Sequence, residues 1–138
     1  MSTSGADVPA RVVLDTSAYS RLRAGDPRIL DAVARAETVA LPVTVLGELE
    51  AGFRLGSRTR ENQVALFEFL EEPFVAVLTV TREVARHYGV VFTALRKAGT
   101  PIPVNDIWIA AASIDAGGHL LTFDGDFARV AGLDHTVF

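Results

Sequence analysis

The sequence contains no cysteine, so disulfide bonds, thiolate metal sites and cysteine nucleophiles are all excluded. A metal ion would have to be held by oxygen atoms or imidazole nitrogens. No apolar run approaches the roughly 20 residues that cross a bilayer, and the first ten residues lack the basic start and apolar stretch of a secretory signal. We therefore expect a cytoplasmic protein without a membrane segment, in which residues 1–10 form a flexible N-terminal leader.

The sequence also has fewer basic than acidic residues. The net charge of −4 argues against general electrostatic adhesion to nucleic acid or to an anionic membrane. All of the 13 basic residues except Lys97 are arginine, the side chain that makes bidentate contacts with phosphate. If five of the acids are metal ligands, the rest of the chain carries a small net positive charge, so the acidity would be concentrated in one place.

The 138 residues and 49% hydrophobic content fit one compact domain, which we place at residues 11–138. Short β-branched or apolar runs predict strands, and apolar residues at helical spacing predict helices between them. The strands are expected at residues 11–14, 38–41, 74–78, 119–122 and near 136–138. The helices are expected from about residue 17, over 27–36, 44–55, 58–71, 81–98 and 106–116, and briefly after residue 126. This alternation indicates an α/β fold with a mainly parallel sheet.

Acidic residues follow two of these strands. Asp15 follows the first strand, and Asp124 and Asp126 follow the fourth. In parallel sheets, ligands bind outside the carboxyl ends of the strands, so these acids should meet at one edge. Each also has a structural explanation, because Asp15 could cap a helix, Asp106 lies in a helical first turn, and Asp-Gly is common in turns.

Glu48 is harder to explain structurally. Its helical neighbours at three and four residues are Thr44, Ala51 and Gly52, and such a small-residue face suggests close packing. A carboxylate on a close-packed face is costly unless it is paired or bound to a cation. If the acids converge, each pair about 4 Å apart at an effective dielectric near 20 would cost about 4 kcal/mol. An oxygen-only cluster of this kind suits Mg²⁺ or Mn²⁺.

Four motifs occur in a recognisable order: LDTS at residues 14–17, GELEAG at 47–52, NDIWIAA at 105–111 and LTFDGDF at 121–127. Together they resemble those of PIN-domain nucleases, in particular the VapC-type toxins of bacterial toxin–antitoxin pairs. The resemblance runs from about Val12 to the C-terminus. It implies a PIN-like three-layer α/β/α sandwich with a central, mainly parallel, twisted sheet of four to five strands.

The resemblance also implies an activity, namely metal-dependent hydrolysis of RNA phosphodiesters. The implied acids are Asp15, Glu48, Asp106 and the fourth acid, which is either Asp126 or its neighbour Asp124. The implied cofactor is Mg²⁺, with Mn²⁺ able to substitute, and the implied partners are an RNA substrate, a VapB-type antitoxin and a second copy of the chain. The polar residues implied to support the acids or contact the metal are Thr16, Ser17, Asn105 and Thr122.

Contacts with RNA are less well indicated by the sequence. Candidate arginines follow the Glu48 helix or lie on the longest predicted helix, although a solvated helix face explains the latter as well. These candidates are Arg54, Arg58, Arg60, Arg82 and Arg86. Two alternatives remain: a catalytically inactive PIN-fold module that binds RNA or protein, and a phosphohydrolase with Asp15 as covalent nucleophile. The second usually carries another Asp two residues later, where this chain has Ser17.

Overall fold

The computed structural model describes residues 9–138, so the predicted leader over residues 1–10 lies almost wholly outside the described residues. Within them, the order of strands and helices follows the sequence prediction, and the boundaries agree to within two residues. The strands are β1 (Arg11–Leu14), β2 (Thr38–Pro42), β3 (Val75–Leu78), β4 (His119–Thr122) and β5 (His135–Val137). The helices are α1 (Thr16–Arg23), α2 (Pro27–Arg35), α3 (Val43–Leu55), α4 (Thr59–Leu70), α5 (Arg82–Ala98), α6 (Val104–Asp115) and a 3₁₀ helix (Gly125–Arg129).

The five strands form one parallel sheet in the order β3-β2-β1-β4-β5. The chain steps from β1 to β3 in one direction and from β4 to β5 in the other. Because such crossovers are right-handed, α1 to α4 cover one face of the sheet, and α5 and α6 cover the other. The predicted α/β/α sandwich is confirmed, and its direction of winding reverses between β1 and β4, where open α/β sheets place their ligand sites.

Burial of the central strands explains why the sheet holds together. Val12, Val13 and Leu14 of β1 are at most 1% exposed, and Leu120 of β4 is fully buried. On the second face, the predicted core residue Trp108 is partly buried and stacks on Tyr88, with ring centroids 4.1 Å apart. The carboxyl ends of β1 and β4 are therefore held side by side by a well-packed core.

Helix α4 differs from its sequence prediction in the direction that its apolar residues face. Val64, Phe67 and Leu70 recur every three residues, and this spacing predicts one buried apolar stripe, but Val64 is 45% and Phe67 63% exposed. The buried residue of this helix is Leu66, and Leu70 is partly buried. The spacing therefore predicted the helix correctly and its buried face wrongly, because an exposed apolar surface can have the same spacing as a buried one.

Helix α6 begins two residues earlier than predicted. Pro103 precedes the first helical residue, Val104, so Asn105 lies inside the first turn and is not the N-cap. Because Asn105 directly precedes the predicted helix start at residue 106, the sequence predicts it as the N-cap; that prediction is wrong, and its amide is available for another contact. None of the helices in residues 9–138 is long and apolar enough to be a candidate for crossing a membrane.

Candidate active site

Asp15 lies at the carboxyl end of β1, where the sheet changes its direction of winding. Its Oδ1 atom accepts hydrogen bonds from the Ser17 hydroxyl at 2.7 Å and from the Ala18 amide at 2.8 Å. Its Oδ2 atom accepts a hydrogen bond from the Thr122 hydroxyl at 2.5 Å. Asp15 is therefore both the N-cap of α1 and one of the acids at the carboxyl ends of the strands. Burial raises its pKa, although the three hydrogen bonds act in the opposite direction.

The same hydroxyls connect the loops that follow β1 and β4. The Phe123 amide donates to Ser17 Oγ at 3.0 Å, and the Asp124 amide donates to Thr122 Oγ1 at 2.9 Å. Each hydroxyl thus donates to Asp15 and accepts from the backbone after β4. Ser17 and Thr122 therefore link Asp15 to the loop that carries Asp124, and their supporting role in the site stays a prediction.

Asp124 and Asp126 lie in the turn that leads into the 3₁₀ helix. Asp124 Oδ1 accepts a hydrogen bond from the Asp126 amide at 2.9 Å and so caps this helix. Asp126 also has a basic neighbour that the sequence analysis missed, because Arg129 Nη1 lies 3.6 Å from its Oδ1 atom. The spacing of three residues within a short helix was the available signal for this pair.

Asp106 completes a group with these two acids. One carboxylate oxygen from each of Asp106, Asp124 and Asp126 lies within 4.8 Å of the others, and all three residues are partly buried. Burial first, and then the charges of Asp124, Glu48, Asp15 and Asp126, raise the pKa of Asp106 from 3.8 to about 6. All four other predicted acids therefore act electrostatically on Asp106, so the predicted convergence is present.

Glu48 reaches the same site from α3. The Thr16 hydroxyl donates to its Oε1 atom at 2.5 Å, and the Asn105 amide donates to its Oε2 atom at 3.2 Å. Its carboxylate thereby joins α1, α3 and α6. The reason given for Glu48 from the sequence was wrong, since Ala51 and Gly52 are exposed and nothing lies within 4 Å of a Cβ built on Gly52. Polar contacts, not close packing, hold Glu48.

The donor set suits a divalent cation. Three carboxylates that share a partly buried volume repel one another, and they either bind a cation or take up protons. The raised pKa of Asp106 comes first from burial and then from this repulsion. Oxygen ligands without thiolate or imidazole in the group favour Mg²⁺ or Mn²⁺ over softer metals.

The arginines predicted to contact RNA stand outside this group. Arg54 lies in the last turn of α3 near Glu50, Arg58 pairs with Glu61 at 2.7 Å, and Arg86 pairs with Glu83 at 3.4 Å. Arg60 and Arg82 are exposed. Along α3 the chain rises about 1.5 Å per residue, so Arg54 is displaced by about 9 Å from Glu48 along the helix axis.

Comparison with known proteins places this geometry in a family. The model of the PIN domain matches residues 12–133, which includes all five acids. Ribonuclease VapC5 of Mycobacterium tuberculosis is 32% identical over 126 residues, covering 90% of each chain. Ribonuclease VapC1 of Haemophilus influenzae strain R2866 is 29% identical over 126 residues, covering 88% of this chain and 92% of the relative.

Solved structures agree with the sequence matches. VapBC2 from Rickettsia felis, bound to a DNA fragment from its promoter, superposes with a TM-score of 0.80 at 26% identity, covering 93% of this chain and 98% of the other. VapBC-1 from nontypeable Haemophilus influenzae gives a TM-score of 0.82 at 25% identity, covering 92% and 97%. The chain is therefore a member of the PIN-domain family, and its relatives include VapC ribonucleases.

Proposed function

We propose that the protein is a metal-dependent endoribonuclease that hydrolyses RNA phosphodiesters and acts as the toxin of a toxin–antitoxin pair. This proposal rests on one observation: carboxylate oxygens of Asp106, Asp124 and Asp126 lie within 4.8 Å of one another. Asp15 and Glu48 complete the set of acids. The relatives named ribonuclease VapC5 and ribonuclease VapC1 support the same activity.

In this proposal Asp106, Asp124 and Asp126 hold Mg²⁺, for which Mn²⁺ substitutes. A divalent cation bound there supplies positive charge for the phosphodiester oxygens and activates the attacking water. The sequence analysis expected Asp15 and Asp106 to be the principal ligands, and that assignment stays a prediction. The grouping of Asp106 with the two later acids favours a primary role for Asp124 and Asp126 alongside it.

The chain's own residues have separate tasks in the proposed reaction. Asp106, with its pKa raised to about 6, releases its proton most readily when a cation is nearby. Glu48 keeps free lone pairs on both carboxylate oxygens after accepting from Thr16 and Asn105, so it can accept hydrogens from water. Asp15 is fixed by three donors and holds negative charge at a constant position.

The proposed setting follows from the substrate and from the relatives. Residues 11–138 form the nuclease unit, and it acts on RNA in the cytoplasm. Several similar structures are VapBC complexes, which supports a VapB-type antitoxin as the partner of this chain. A homodimer remains part of the proposal, and exposed apolar side chains such as Phe67 and Val64 on α4 offer surface for a second copy.

The test is cleavage of purified cellular RNA in Mg²⁺, in Mn²⁺ and in EDTA. The proposal expects discrete fragments from the unaltered protein that disappear with EDTA and in the Asp106→Asn variant. A matched control is Asp115→Asn, which removes an exposed acid from the same helix and should leave the fragments unchanged. Intact RNA in every lane from folded, inhibitor-free protein would favour the inactive binding module instead.

A further inference from the structure

Two arginines that the sequence analysis did not single out share one phenylalanine ring. The Cζ atoms of Arg21 and Arg28 lie 4.7 Å and 5.0 Å from the centroid of the Phe123 ring. Arg28 also lies 5.9 Å from the ring of Phe138, and the two rings are 5.4 Å apart. We call these four residues the arginine–phenylalanine platform. It joins α1, α2, the loop after β4 and the residue after β5.

Asp26 holds the two guanidinium groups in place. It accepts from Arg28 Nε at 3.1 Å and from Arg28 Nη2 at 2.9 Å, while Arg21 Nη1 lies 3.7 Å away. Asp26 is itself fixed, because it caps α2 through the Arg28 amide. The platform carries two positive charges, and Asp26 beside it carries one negative charge. The side chains of Arg21 and Arg28 are still 55% and 52% exposed. Their remaining donors are open to a ligand.

The platform adjoins the carboxylate site directly. Phe123 lies in sequence between Thr122 and Asp124, and its amide donates to Ser17 Oγ. A site with five acids repels a polyanion, so a substrate strand needs fixed positive charge close by. Guanidinium groups supply such charge, bind phosphate with paired N–H donors, and stack on unpaired bases.

A groove extends from the platform between α2 and β5. Arg28 and Phe138 line this cavity of about 280 Å³ together with Asp31, Arg35, His119 and Thr136. Arg28 and Arg35 are seven residues apart, so they project from the same face of α2 two turns from each other. The groove therefore carries two arginines and one acid, Asp31, which lies 3.8 Å from Arg35.

We propose that the arginine–phenylalanine platform and this groove bind single-stranded RNA on one side of the scissile phosphate. Arg21 and Arg28 contact phosphate oxygens, and their exposed faces stack on unpaired bases. The identity of the ligand rests on the proposed function. The described cation–π pairs support the choice, since Arg21 and Arg28 lie over a phenylalanine ring and Arg54, Arg58 and Arg86 do not.

The first measurement is affinity for a short, labelled single-stranded RNA in EDTA, by fluorescence anisotropy over a range of salt concentrations. The Arg21→Gln/Arg28→Gln variant should bind at least about tenfold more weakly, with a salt slope smaller by about 2, close to one per lost phosphate contact. The matched control is Arg96→Gln/Lys97→Gln. It also removes two positive charges, one of them an arginine 5.2 Å from a phenylalanine ring, and should change neither value.

Two further variants keep the test valid if the double glutamine variant fails to fold. Arg21→Lys/Arg28→Lys retains the charge and should recover most of the salt slope, but less of the affinity. Phe123→Leu retains apolar packing and removes the ring, and should weaken binding about threefold or more. Unchanged affinity in both Arg21→Lys/Arg28→Lys and Phe123→Leu would overturn the inference even without the glutamine variant, as would an equal loss in the Arg96/Lys97 control.

Cleavage in Mn²⁺ separates this inference from the proposed function. If the unaltered protein cleaves RNA, Arg21→Gln/Arg28→Gln should raise KM about tenfold and change kcat little. An unchanged KM in an active enzyme would overturn the platform and leave the nuclease proposal standing. If the unaltered protein binds RNA through the platform but never cleaves it, the nuclease proposal fails and the inference stands.

Discussion

The Thr122 hydroxyl donates a hydrogen bond to Asp15 Oδ2 although 107 positions separate the two residues. Pairing of β1 with β4 creates this contact, because the register places Leu14 beside Leu121. The hydroxyl also accepts from the Asp124 amide, so one buried side chain fixes acids from both ends of the sequence. The contact gives the first prediction.

Replacing Thr122 with valine should weaken both the fold and the site. The substitution keeps the shape but leaves the buried Asp15 carboxylate without one donor, at a cost of about 1–3 kcal/mol in the free energy of unfolding. RNA cleavage should fall by more than the loss of folded protein explains. Denaturant unfolding and initial cleavage rates measure the two effects. Thr122→Ser keeps the hydroxyl and should recover both, and a valine variant as stable and active as the original protein would refute the role.

The stability of the metal-free protein should depend on Asp106. Its pKa rises from 3.8 to about 6 on folding, so the folded state binds this proton more tightly than the unfolded state. The free energy of unfolding in EDTA should therefore fall as the pH rises from about 4 to about 6. Because Asp106 is only partly buried, solvent screening limits the contribution to about 1–2 kcal/mol.

The measurement for this prediction is chemical unfolding at a series of pH values, for the original protein and for Asp106→Asn. The asparagine variant should lack most of the decline. If the free energy of unfolding of the asparagine variant fell with pH in parallel with that of the original protein, another group would be responsible. Asp115→Asn is the control, since this exposed acid on α6 lies outside the acidic group.

Binding of a divalent cation should raise the melting temperature. At a Mn²⁺ concentration one hundred times the dissociation constant, the folded state gains about 2.7 kcal/mol. Asp124→Asn and Asp126→Asn remove ligands from the proposed site and should each reduce the shift, and the larger reduction identifies the primary fourth acid. Thermal unfolding with and without Mn²⁺ gives the result without requiring RNA cleavage. An equal shift in all three proteins would place the cation elsewhere.

Gly118 should not tolerate a side chain. A Cβ atom at this position would lie 2.6 Å from Val13 Cγ2, inside the core at the start of β4. Gly118→Ala should lower the free energy of unfolding by about 1–3 kcal/mol through overpacking. Gly89→Ala on α5 meets nothing within 4 Å and should raise it by up to about 1 kcal/mol through helix propensity. Opposite signs in denaturant unfolding are expected, and equal effects would contradict the packing argument.

Much of the fold was predictable because it depends on local patterns. The central strands and α5 carry residues whose spacing matches their burial, and Gly99 ends α5 with a positive φ of 72°. Such patterns do not distinguish exposed apolar residues from buried ones. Phe67 and Val64 therefore looked like core residues, although the only buried position in α4 is Leu66.

The acids of the site were predictable, but their contacts were less so. Strand ends predicted that Asp15 and Asp124 would meet, because position in a parallel sheet is enough for that. The partners of Glu48 depend on the distances between three helices, so neither the Thr16 contact nor the Asn105 contact follows from spacing. Likewise, nothing in the sequence associates Arg21 with Phe123, since their proximity arises only from tertiary packing.

The strand order also determines when the site can form during synthesis of the chain on the ribosome. β1, β2 and β3 are synthesised first, yet β4 must later take its place directly beside β1. A nascent chain that stalls before residue 119 contains Asp15, Glu48 and Asp106 but lacks Thr122, Asp124 and Asp126. Under the proposed function, such an incomplete chain is therefore harmless to the RNA that encodes it, and cutting becomes possible only after residues 119–126 have been translated.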